Sequence, residues 1–216
     1  MMRFSKERQA RQDILSADGY KRRYGPGSVG RYYDDVWTSG CPLFSMFTFV
    51  KCFRQDPREL PSTLAEQVGP RLAPAPHYQS SSPLTDVRRD FVLPPGAPRT
   101  IASIAELIAA FDNVPPLRRD VMVEMKFILR ASASPHCAYE SVRGFALQHF
   151  AKERELAAML VLHLPGRSGA TGDNHIHLFV PARRLTPEGF TSHAGQLVHD
   201  QGFAEVTEAW RDWRNS

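Results

Sequence analysis

The stretch His163-Leu-Pro-Gly-Arg-Ser-Gly-Ala-Thr-Gly-Asp-Asn-His175-Ile-His177 constrains the fold more than any other part of the chain. Two apolar runs flank a glycine-rich loop, and three histidines sit at its mouth. Side chains two apart on a strand point to the same side, so His175 and His177 share a face. Folding the loop symmetrically about Gly169 gives an antiparallel hairpin with position 163 opposite 175 and 161 opposite 177. One face then carries Met159, Val161, His163, His175, His177 and Phe179. The other carries Leu160, Leu162, Leu164, Ile176, Leu178 and Val180. A slip of one residue would drive the imidazoles into the aliphatic layer, so the pattern specifies its own register. Three neutral imidazoles on one rigid face, with open positions left over, suit a divalent metal that polarises a phosphoryl or carbonyl oxygen.

Around that hairpin the chain has the resources for a sizeable core: 216 residues, 42% of them hydrophobic, most simply one domain with an extension. No apolar run reaches membrane-spanning length, and the polar N-terminus lacks a signal-peptide core, which points to the cytoplasm. Cys41, Cys52 and Cys137 are too scattered for a disulfide framework or a zinc knuckle. A net charge of +4 permits a polyanionic partner. The basic pairs Arg88-Arg89, Arg118-Arg119 and Arg183-Arg184 are dispersed, as charges framing a groove would be.

Residues 1–40 read as a basic, aromatic extension, and 41–216 as the main domain. Pro42 to Val50 is rich in aromatics and predicts a strand, whereas 54–100 holds most of the prolines and predicts a loop-rich connector with one short helix after Ser62. Ile101–Phe111 is a helix stopped by Asp112-Asn113 and the following prolines. Val121–Leu129 alternates as a half-buried strand, Tyr139–Glu155 has a helical apolar stripe, and Phe203–Trp213 closes the chain as an amphipathic helix. Antiparallel strands with helices between them predict an α+β sandwich built on a central antiparallel sheet with flanking helices.

The order of several segments resembles the MobA/MobL group of plasmid mobilisation relaxases. The carrying residues are Phe91-Val-Leu-Pro-Pro-Gly-Ala-Pro98, Arg118 to Leu129, Leu162-His163, Asp173-Asn-His-Ile-His177, Arg183 to Phe190 and Glu208-Ala-Trp-Arg-Asp-Trp-Arg-Asn215. The resemblance spans roughly residues 75–216. It implies a relaxase-like (HUH-type) sandwich, a metal held by His163, His175 and His177, and nicking of single-stranded DNA at a plasmid transfer origin. The metal would be Mg²⁺ or Mn²⁺, with Zn²⁺ as the alternative, and accessory mobilisation proteins are implied partners. Relaxases of this kind attack with a tyrosine. The tyrosine in the corresponding order is Tyr78, in a proline-broken segment where the family has a helix, and Tyr32 or Tyr33 is the alternative.

A phenol with an ordinary pKa near 10 needs a base or a nearby positive field to attack at neutral pH, and His77 adjoins Tyr78. Carboxylates commonly orient metal-binding imidazoles. Glu124, in the middle of an apolar strand, is the candidate for that role, with Asp173 as the alternative. Arg183 and Arg184 follow the second histidine strand and are candidates for phosphate contacts. Two other readings stay open at this level: an inactive DNA-binding remnant of a relaxase, and a metal-dependent hydrolase that uses the same three-histidine face with water as nucleophile.

Overall fold

The structure, a computed structural model, describes residues 20–24, 31–38, 40–53, 63–72, 86–115 and 120–215. Seven strands form one sheet: β1 (Tyr20–Tyr24), β2 (Arg31–Trp37), β3 (Phe44–Phe53), β4 (Asp86–Val92), β5 (Asp120–Leu129), β6 (Ala158–His163) and β7 (His175–Pro181). Their spatial order is β1-β2-β3-β5-β7-β6-β4, and every neighbouring pair is antiparallel. A separate hairpin joins β8 (Arg183–Thr186) to β9 (Gly189–His193).

Helices cover both faces. Against one pack α3 (Pro135–Phe145), the π-helical segment Ala146–Lys152 that continues it, and α4 (Asp200–Asn215). This layer meets Leu160, Leu162, Ile176 and Leu178 of the sheet. At its centre the Trp210 indole touches Phe44, Phe127 and Phe145, with ring centroids 4.6–5.3 Å apart. Truncating an aromatic buried this way typically costs about 3–5 kcal/mol. The other face packs Val50, Met122, Met159, Val161 and Phe179 under α1 (Leu64–Leu72), α2 (Ile104–Asp112) and the β8–β9 hairpin. The α+β sandwich with a central antiparallel sheet and flanking helices is therefore the observed architecture.

Local chemistry fixes these helices. Ser103 caps α2 by accepting from the Glu106 amide, while Glu106 reaches back to the Ala102 amide and the Ser103 hydroxyl, a reciprocal capping box. Thr63 and Glu66 repeat the arrangement at the start of α1. The Asp112 carboxylate at the end of α2 also accepts from the Leu64 and Ala65 amides, which pins α1 beside α2 over the sheet. Ser134 and Pro135 begin α3.

Three stretches of the chain depart from sequence expectation. The segment 20–37, read as part of an extension, supplies β1 and β2, so the boundary near residue 40 does not coincide with an edge of the sheet. The proline-rich connector contains the edge strand β4, whose charged residues are typical of a strand end that must not recruit another. The helix expected to run from Tyr139 to Glu155 begins at Pro135 and widens to π winding at Ala146. It ends where Glu155 adopts a left-handed conformation (φ 57°) and the Leu156 amide returns to the Phe150 carbonyl.

Candidate metal centre

Strands β6 and β7 pair with His163 opposite His175 and Val161 opposite His177, the register that alternation in the sequence predicts. The three rings meet on the face of α1 and α2. His163 and His175 stack nearly parallel at 5.1 Å, and His177 stands across both at 5.2 and 4.8 Å. One ring nitrogen from each lies within 4.8 Å of the others. His163 and His177 are 8% and 4% exposed, and His175 is half-buried at the mouth of the cluster.

Hydrogen bonds determine which nitrogens face inward. The Nδ1 of His177 lies 2.7 Å from Oε1 of Glu124, and the Nδ1 of His175 lies 2.7 Å from the Asp173 carbonyl oxygen. A carbonyl only accepts, and a carboxylate does the same when ionised, so each Nδ1 carries the proton and donates. Burial pushes the His175 imidazolium pKa down to about 3, with the charge on Lys126 and the neighbouring imidazoles adding to the effect. His177 is also lowered, because burial outweighs the pull of the Glu124 hydrogen bond and charge. Both rings are thus neutral at physiological pH and present an Nε2 lone pair, the form a metal requires. The donor set fits a divalent cation.

Glu124 comes from the middle of β5, opposite Phe179 of β7, and is 3% exposed. Arg71 of α1 places its Nε 3.8 Å from Glu124 Oε1 and offsets a buried negative charge. Two cations near the histidines escaped sequence reasoning. Arg71 was hidden because it reaches the site from another layer. Lys126 had a visible signal: it lies two residues beyond Glu124 and so shares its face, and in the sheet it stands opposite His177.

The two arginines after β7 stand in different surroundings. Arg183 is 4% exposed, donates to the Pro115 carbonyl and lies over the Phe111 ring, so its guanidinium serves packing. Arg184 is exposed and pairs with Glu155 at 3.1 Å, beside a separate cavity of about 220 Å³ that Arg154 and His193 also line. The six steps from His175 to Pro181 span about 20 Å of strand, so neither arginine adjoins the histidines. Tyr78 and His77 lie outside the described residues, and Tyr32 and Tyr33 are described only as backbone of β2. Tyr139 is buried in the opposite layer, away from the histidine face, and burial raises its phenol pKa.

No family model matches the sequence, and no curated protein does. The fold is similar to that of a chain whose structure addresses the molecular basis of vancomycin resistance transfer in Staphylococcus aureus. The match has 17% identity and a TM-score of 0.50, over 60% of this chain and 68% of that one. At this identity the likeness shows a shared fold.

Proposed function

We propose that the protein nicks single-stranded DNA at a plasmid transfer origin and transfers the strand through a covalent phosphotyrosine. The observation that carries the reading is the convergence of His163, His175 and His177 on one sheet face with Glu124 bonded to His177. The resemblance of its segments to mobilisation relaxases, and a fold shared with a protein studied for resistance transfer, support it.

Bound by the three imidazoles, a divalent cation would draw charge from the non-bridging oxygens of a scissile phosphate. The all-nitrogen donor set favours Mn²⁺ or Zn²⁺ over the harder, oxygen-seeking Mg²⁺. Glu124 holds His177 in one tautomer and orientation. Lys126, opposite His177, adds positive charge where a phosphate would sit. Tyr78 is the proposed nucleophile, with Tyr32 or Tyr33 of β2 the alternative. Its oxygen bonds to phosphorus as the bond to the 3′ oxygen breaks; the phenolic proton leaves to a base and the departing oxygen gains one. The ester bond to tyrosine conserves the energy of the phosphodiester, so religation needs no ATP.

The test is a labelled transfer-origin oligonucleotide incubated with Mn²⁺ and run on a denaturing gel. The expected product is a protein–DNA adduct that disappears in Tyr78→Phe. Its persistence there and loss in Tyr32→Phe or Tyr33→Phe would move the nucleophile to β2. Failure to form an adduct on a verified cognate strand would overturn the strand-transfer reading.

A further inference from the structure

The histidines belong to a longer row. Trp37 of β2 stands opposite Met46 of β3, Met46 opposite Ile128 of β5, Ile128 opposite His175, and His175 opposite His163. Directly paired residues project from the same face of a sheet, so the indole and the imidazoles share one surface. Trp37 is 44% exposed, while Met46 and Ile128 are half-buried and belong to neither apolar core. The helices α1 and α2 pack on rows further along the strands, around Val50, Phe179 and Met159. The next row runs Thr48, Lys126, His177, which sets a cation alongside the strip.

A lone exposed apolar residue is ordinary on a protein surface. Position distinguishes this one. The strip is apolar and continuous with the histidine cluster, and ends about 14 Å away, three strand spacings, in an exposed indole. An aromatic face beside a cation is the pairing that holds single-stranded nucleic acid, with bases stacking on the ring and the cation against the backbone. We infer that Trp37, Met46 and Ile128 form a stacking floor for bases of a DNA strand a few nucleotides from the phosphate at the histidines, with Lys126 against that backbone. The inference rests on the DNA-processing reading above.

The test compares fluorescein-labelled oligothymidylate with an abasic oligomer of the same length and charge, by anisotropy across a salt series. Wild type should prefer the thymidylate. Trp37→Ala should lose about 5- to 100-fold of that affinity, as expected for one stacked base, and leave binding of the abasic oligomer unchanged. Trp37→Phe should fall between. Lys126→Ala should weaken both oligomers alike and flatten the salt slope. Thymidylate should also quench tryptophan emission in wild type and leave that of Trp37→Phe unaltered. Trp37→Ala binding both oligomers as wild type does would overturn the stacking floor while the strand-transfer reading stands on its adduct. If wild type binds neither oligomer, the stacking floor is overturned, whereas the strand-transfer reading is overturned only by a missing adduct on the cognate strand.

Discussion

The hydrogen bond from His177 to Glu124 determines what the cluster can bind. A buried carboxylate that receives the Nδ1 proton fixes the ring and leaves Nε2 as the donor to a metal, and losing such a partner typically costs 10- to 100-fold in metal affinity. Glu124→Gln keeps an acceptor oxygen but loses the charge, whereas Glu124→Ala loses both. Calorimetric titration with Zn²⁺ should therefore rank wild type above Glu124→Gln above Glu124→Ala; equal affinities would show that the ring is held by other contacts. A second residue-scale effect concerns His149, stacked on Phe145 and accepting from Arg154. Burial, with the Arg154 charge adding, pushes its pKa down to about 3. Above pH 6.5 the ring is neutral in both folded and unfolded chains and contributes nothing to pH dependence. As pH falls from about 6.5 toward 3 only the unfolded chain takes up the proton, and stability drops by up to about 1.4 kcal/mol per pH unit. Urea denaturation between pH 7.5 and 4.5 should show this loss, reduced in His149→Phe. An unchanged acid limb in that variant would refute the assignment.

Among the elements, α4 depends on close approach to the short turn before it. A Cβ on Gly202 would lie 2.1 Å from the Gln196 carbonyl oxygen and 2.7 Å from that of Leu197. Gly202→Ala must push the helix off its seat, along with Phe203 and Val206 of the core, so it should cost more than about 2 kcal/mol in urea denaturation. A neutral substitution would mean that the helix start moves freely. Element by element, legibility in the sequence tracked how local the signal was. The β6–β7 hairpin was readable because its two strands flank one loop and its histidines alternate with aliphatics. β4 was hidden because Arg88, Arg89 and Asp90 break the apolar pattern, as edge strands permit. β1 and β2 were obscured because tyrosines and charges interrupt any apolar alternation there, and the pairing of β2 with β3 is not signalled by a tight turn.

For the molecule as a whole, the sheet divides two unlike layers. One is a nearly continuous apolar core of aromatic and aliphatic side chains under α3 and α4; the other shares its face with histidines, Glu124 and Lys126. Sequence parity separated those layers within the hairpin, and placed Glu124 opposite the apolar side of β5. What it lacked was register between distant strands, which brings Lys126 to His177, Trp37 into the histidine row, and Arg183 into packing. No helix among the described residues is long and apolar enough to cross a membrane. The central claim is that this sheet face holds one divalent cation through three imidazoles. Elemental analysis after reconstitution with Mn²⁺ or Zn²⁺ and removal of excess metal tests it most directly. One ion per chain is expected in wild type, and only a small fraction of that in His163→Ala, His175→Ala and His177→Ala, each still folded by circular dichroism. Full occupancy retained in all three variants would contradict the account.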